Sequence, residues 1–251
     1  MKCRNFLLSA FILLLTGLTA GLSAQEEEKE SPFSAGFDLM SRYVWRGTDF
    51  GASPSVQPCL EFSKGGFTVG AWGAYATNLP GTQEADLYVG YTYKELISLT
   101  FTDYFFPDEL SSNNHYFEYR DTVTGHVFEM SACYEGTEDF PLTFLIASNI
   151  YGGDAKKLDD NGNINGIQYS TYAELGYSFK NISVFAGFNV IAPDTDQGES
   201  GFYGNEMGFV NIGCTVEKEI KITDDYKLPV TVSLITNPEK EKIYFVAGFS
   251  F

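Results

Sequence analysis

The chain has 251 residues, with 33 Asp and Glu against 16 Lys and Arg and a formal net charge of −17. That balance excludes a nucleic-acid binder, which needs a basic footprint for the phosphate backbone. With 22 Phe, 16 Tyr and 25 Gly and almost no 3.6-residue periodicity, the composition points to an all-β fold.

At the start, Lys2 and Arg4 precede an apolar run from Phe6 to Leu15, and Leu22-Ser23-Ala24 makes a small-residue cleavage site before Gln25. Residues 1–24 therefore read as a secretory signal peptide, too short and wrongly flanked for a transmembrane helix. Cys3 lies ahead of the apolar run, so no lipoprotein anchor is indicated. Residues 25–33 are a short acidic tether, and residues 34–251 one folded domain. Cys59, Cys133 and Cys214 are far apart and lack CxxC spacing, which indicates neither a zinc site nor a disulfide framework. No later stretch approaches the roughly 20 apolar residues of a membrane helix. A membrane location would have to be reached with strands.

Twelve strands are expected at about 34–46, 54–63, 66–77, 83–93, 96–106, 125–135, 141–151, 167–178, 181–191, 206–217, 228–236 and 242–251. Most alternate with period two, as in Ala85, Leu87, Val89, Tyr91 and Tyr93 against Glu84, Asp86, Tyr88, Gly90 and Thr92. One face is apolar with aromatic ends, and the other is polar, small or acidic. Connections alternate between tight (Lys64 to Gly66, Lys94 to Leu96, Lys180-Asn181) and long (Gly47 to Ser53, Pro107 to Gly125, Gly152 to Gly166, Pro193 to Asn205). Short turns on one rim and long loops on the other are the layout of a transmembrane antiparallel β-barrel, here with both termini periplasmic. Tyr43, Trp45, Tyr75, Tyr91, Tyr93 and Tyr177 are candidates for interfacial girdles, and His115 to Asp121 for a small hairpin within the long Pro107 to Gly125 loop.

Two stretches resemble known families. The last strand, Lys242 to Phe251, alternates to its final residue and is similar to the closing strand of bacterial outer-membrane barrels, which implies the barrel-assembly machinery as a partner. Ser41-Arg42-Tyr43-Val44-Trp45-Arg46-Gly47, then Pro54-Ser55-Val56-Gln57-Pro58 and Gly70-Ala71-Trp72-Gly73, resembles the opening of the TorF-type porin family. Glu84 to Tyr91 matches that family's acidic strand, and the likeness is specific over about residues 36–106. It implies a secreted barrel of the Gram-negative outer membrane, in contact with lipid and lipopolysaccharide, and a channel of unassigned solute.

Outward faces are assigned to odd positions in the first five strands. The lumen-side set is read as Asp38, Arg42, Arg46, Gln57, Glu61, Glu84, Asp86 and Tyr88. In later strands it is Glu129, Tyr172, Glu174, Asn189, Asn211 and Glu217. Charged side chains inside a pore set selectivity. Arg42 and Arg46 opposite Glu84 and Asp86 would give a transverse field or, alternatively, an ion-pair network that fills a narrow barrel. Tyr88, Tyr172 and Trp72 are candidate stacking faces for sugars or nucleosides. Asp159 to Gly166 lacks the ligand spacing of an EF-hand and reads as a hydrophilic loop. His115 and His126 are the histidines available for catalysis, without an assignable nucleophile, G-x-S-x-G elbow or metal spacing. The expected function is a porin passing small hydrophilic solutes, with no cofactor and no catalytic residue. The alternatives are a closed structural or surface-binding barrel that uses its long loops and, more weakly, a lipid-modifying enzyme.

Overall fold

The computed structural model describes residues 31–78, 82–108, 114–121 and 123–251. The signal peptide, residues 1–24, and most of the tether, residues 25–33, lie outside the described residues. Twelve antiparallel strands close into a barrel. They are β1 Phe33–Met40, β2 Ser55–Lys64, β3 Phe67–Ala76, β4 Gln83–Tyr93, β5 Ile97–Phe105 and β6 His126–Tyr134. The rest are β7 Leu142–Gly152, β8 Thr171–Phe179, β9 Ile182–Asn189, β10 Gly208–Lys221, β11 Lys227–Asn237 and β12 Lys242–Ser250.

Each strand pairs with its chain neighbours, and β1 meets β12 to close the ring. Closure removes every free edge, which matters where no water is available to satisfy backbone groups. The seam is the shortest pairing, from Asp38↔Ser250 to Met40↔Gly248. It is extended by Phe37 and Phe251, whose backbones exchange N–H···O bonds of 3.2 and 3.0 Å and whose rings stack at 4.9 Å. Both chain ends of the barrel lie on the rim of short turns.

The side-chain alternation sorts the wall into two surfaces. Phe37, Leu39, Leu60, Val69, Leu87, Leu99, Phe144, Leu175, Leu234 and Phe245 are exposed on the outside. A water-soluble surface rarely carries so continuous an apolar belt. Gln57, Glu84, Asp86, Thr102, Glu129, Glu174, Thr215 and Ser233 are buried on the inside. The parity assigned to the first five strands holds in β1, β3, β4 and β5 and reverses in β2, where Val56 and Leu60 point out and Ser55, Gln57 and Glu61 point in.

Three local expectations are corrected. The first strand ends at Met40 rather than reaching 46, and Val44–Trp45 pairs with Thr48–Asp49 as a small separate hairpin. Its two-residue turn is Arg46-Gly47, with φ of 46° and 76°, the left-handed conformations that such a hairpin turn requires. Tyr43 and Trp45 accordingly leave the expected girdle and are buried inside, 4% and 7% exposed. Finally, the described residues 114–121 form turns rather than a hairpin. They fold down outside the wall, where Tyr116 and Tyr119 cover His126, with ring centroids 5.1 and 4.6 Å from its ring. The loop hairpin is instead Lys156–Leu158 with Ile164–Ile167, between β7 and β8.

Bulges aim the inward side chains on the loop side. Asn149 faces Glu129 and Tyr151 faces Phe128, leaving Ile150 as the extra residue of β7. In β10, Asn211 pairs with Gly187 and Phe209 with Phe188, so Val210 is the extra residue and is fully buried. A bulge adds one residue to one strand and re-aims its neighbours.

Candidate functional site

The lumen divides into two halves. Towards the short turns it is lined by small polar groups, including Ser34, Ser63, Thr68, Thr92, Ser98, Ser178 and Ser183, all half-buried. Among them sit Asp38, Glu61, Glu135 and Glu217, also half-buried. Glu61 accepts from the Tyr88 hydroxyl at 3.1 Å and from Ser63 at 2.8 Å. Four carboxyls among small hydroxyl side chains make this half an acidic vestibule.

Towards the long loops the lumen is filled. The 41–53 segment folds inward, and Tyr43, Trp45, Trp72, Tyr88, Tyr104, Tyr172, Tyr203, Val127 and Val210 form one buried cluster. The segment is fastened from the wall. Asn237 Nδ2 donates to the Gly47 carbonyl at 3.1 Å, and Lys240 Nζ donates to Thr48 Oγ1 at 3.1 Å. At its tip, the Arg46 guanidinium forks onto Glu129 of β6, its Nη2 donating to Oε1 at 3.0 Å and its Nη1 to Oε2. Tyr104 and Tyr203 donate to the same carboxylate at 3.1 and 3.2 Å. Trp45 and Tyr172 present ring faces to the guanidinium carbon at 4.4 and 4.7 Å. A planar guanidinium suits this combination of bidentate pairing and ring stacking in a way that a lysine ammonium does not. Below it Tyr172 donates to Glu174, and Asn211 Nδ2 donates to both at 2.9 and 3.0 Å.

The lumen-side residues read from the sequence therefore divide. Arg46, Glu129, Tyr172 and Glu174 come together in one network with Tyr104, Tyr203 and Asn211. Glu84, Asp86 and Tyr88 share the inward face of β4, and Glu61 lies in the vestibule beside Tyr88. Arg42 stands apart, its side chain 40% exposed and paired with Asp49 of its own segment. Neither arginine faces Glu84 or Asp86, so the expected field or network across that gap is not formed. Trp72, Tyr88 and Tyr172 are 7%, 4% and 0% exposed, so their faces are packed rather than offered to a solute. Tyr203, in the loop after β9, was not among the expected residues.

The other candidate loops are occupied by their own chain. Asp159 Oδ1 accepts the backbone N–H of Asn161 and of Asn163, both at 2.9 Å, and these bonds hold its carboxyl below the usual range. His126 is oriented by Asp103 after all, with Nδ1 at 2.6 Å from Oδ1. Its second nitrogen, Nε2, lies 2.6 Å from the Tyr116 carbonyl. A carbonyl oxygen only accepts, so Nε2 carries a proton there and does not face a nucleophile.

Residues 24–183 match the family model described as "Bacterial protein of unknown function (Gcw_chp)". No curated protein matches the sequence. Among solved structures, the chain is similar to a KdgM porin at 10% identity and a TM-score of 0.44, over 86% of this chain and 98% of that one. The family model runs from residue 24 into β9 and takes in the inserted hairpin, the acidic β4 and Glu129. On that span, more than half of the chain, the protein belongs to the Gcw_chp family.

Proposed function

We propose that the protein is an outer-membrane channel of low conductance for small hydrophilic solutes, favouring cations, with an inserted hairpin as its constriction. The observation that carries this reading is the polarity of the wall: apolar outside along the whole belt, and polar inside with Asp38, Glu61, Glu135 and Glu217 along the vestibule. A barrel built only as a scaffold has no need of a row of acids inside, whereas fields from such groups bias a permeating ion. The likeness of residues 36–106 to TorF-type porins supports the same reading. Outer-membrane lipid and lipopolysaccharide are the proposed surroundings of the belt, and the barrel-assembly machinery the proposed partner of the closing strand.

The test is conductance of the refolded barrel in a planar bilayer under a salt gradient. Small, cation-selective steps are the expected result. A folded, heat-modifiable barrel without steps would overturn the channel. It would favour the second reading, a closed barrel that works through its long loops, which the tight packing around Arg46 specifically supports.

A further inference from the structure

We propose that Glu84, Asp86 and Tyr43 bind one hard divalent cation, of the Ca²⁺ or Mg²⁺ kind, between the inserted hairpin and β4. Glu84 and Asp86 are 2% and 1% exposed and point inward from alternate positions of β4. Tyr43 arrives from a different element, the 41–53 segment, and its hydroxyl faces both carboxyls. The Tyr43 hydroxyl lies close to Glu84 and Glu84 close to Asp86, yet Glu84 Oε2, both Asp86 carboxylate oxygens and the Tyr43 hydroxyl have no well-formed hydrogen bond.

Four orphaned buried oxygens in one place are strongly unfavourable unless something meets them. The nearby arginines do not: Arg46 is committed to Glu129 and Arg42 to Asp49. A proton shared by the two carboxyls, with the Tyr43 hydroxyl turned onto Glu84, is the competing arrangement, and it leaves the second Asp86 oxygen without a well-formed bond. A divalent ion matches the charge of two carboxylates and takes several oxygen ligands at once, so it engages all four. The all-oxygen donor set selects a hard cation over zinc or copper. Such an ion would tie the hairpin to the wall at a further point, beside those at Arg46 and Gly47. The site stands whether or not the barrel conducts.

Terbium luminescence on the folded, full-length barrel in detergent reads the site directly. The Trp72 ring lies 5.5 Å from the Tyr43 ring and serves as sensitiser. Wild type should give saturable terbium emission displaced by Ca²⁺. Glu84→Gln/Asp86→Asn should abolish it, Tyr43→Phe should weaken binding about tenfold, and Glu61→Gln/Glu217→Gln should leave it unchanged. Emission that persists in Glu84→Gln/Asp86→Asn would assign the ion to surface loops and overturn the site. Wild type without saturable emission would assign a shared proton instead. Should the double variant fail to fold, thermal unfolding decides. Ca²⁺ should raise the wild-type Tm over the EDTA value, by less in Tyr43→Phe, and equal shifts in the two proteins would overturn the proposal.

Discussion

Arg46 and Glu129 lie 83 residues apart in sequence and close on each other inside the barrel, 9% and 2% exposed. Arg46 adopts φ 46°, an uncommon conformation for a bulky residue. The fork onto Glu129 and the stacked rings supply the compensation. Removing one member of a buried pair strands the other charge, at a cost of about 3–5 kcal/mol. Arg46→Ala and Glu129→Ala should each lower stability by about that amount, whereas Arg46→Met/Glu129→Leu should recover most of it. Urea unfolding of the micelle-bound barrel, followed by tryptophan fluorescence, distinguishes the three. A double variant that loses the sum of the two single losses would mean the pair carries no coupling.

Inward aromatic rings are accommodated by glycines on the adjoining strand. Gly187 of β9 lies under the Tyr172 ring, and a methyl group there would meet the Tyr172 side chain. Gly70 stands in the same relation to its cross-strand partner Tyr88. Overpacking of this kind costs about 1–3 kcal/mol. Gly187→Ala should fall in that range and disturb the Tyr172–Glu174–Asn211 network. The substitution Gly187→Ala/Tyr172→Phe removes the closest atom, the hydroxyl, but leaves ring carbons at 2.5 and 2.8 Å and should restore little; Gly187→Ala/Tyr172→Leu should restore more. Chemical denaturation of the set is the measurement.

The wall of this barrel was legible in the sequence because its physical demand is simple. A strand between lipid and lumen alternates apolar with polar residues, and the twelve expected strands coincide with those observed to within a few residues at most ends. The lumen filling was less legible. Ser41 to Arg46 continues the alternation of β1 smoothly, so it reads as more strand. Two signals pointed the other way: the expected strand exceeded the 9–11 residues a span needs, and Arg46-Gly47 can form a two-residue turn. Tyr203 carries no such signal. It lies in a loop, and only the closure of the barrel brings it to Glu129. Asp103 was likewise invisible as the partner of His126, because the two meet across β5 and β6 and nothing in their spacing reports it.

The loop between β9 and β10 is tied to the β7–β8 loop hairpin by Glu199. Its Oε1 accepts the Leu158 N–H at 2.8 Å and its Oε2 the Asp194 N–H at 2.9 Å. These two N–H groups, Asp194 first, hold the Glu199 carboxyl below its usual 4.5. A carboxyl depressed by folding contributes its stabilisation above the ordinary carboxylate range and loses it as pH falls through the depressed value. Amide exchange at Leu158 and Asp194, corrected for intrinsic rates, should therefore be protected near neutrality and accelerate in acid. Glu199→Gln should exchange faster at neutral pH and lose the acid-dependent step. Identical profiles for the two proteins would show that the carboxylate does not hold the loops together.

At Gly47 the backbone of the inserted hairpin packs directly against β10 of the wall. A Cβ on Gly47 would collide with the Val210 carbonyl, and φ 76° is itself costly for any other residue. Gly47→Ala should therefore lift the hairpin tip from β10. Asn237→Ala should do the same more mildly, by removing the 3.1 Å bond to the Gly47 carbonyl. Neither change removes a strand-to-strand hydrogen bond, although Asn237→Ala also frees the Lys240 N–H of the β11–β12 turn, so both proteins should stay folded and heat-modifiable. If the hairpin is the constriction, single-channel conductance should rise in the order wild type, Asn237→Ala, Gly47→Ala. Cation selectivity should persist, because Asp38, Glu61, Glu135 and Glu217 remain in the vestibule. Removing the vestibule charge with Glu61→Gln/Glu217→Gln should weaken selectivity while leaving the size of the steps nearly unchanged. Conductance that is the same in all three hairpin proteins would mean that ions, if they pass, do not pass the hairpin. The occlusion would then lie with Tyr172 of the wall and Tyr203 of the β9–β10 loop.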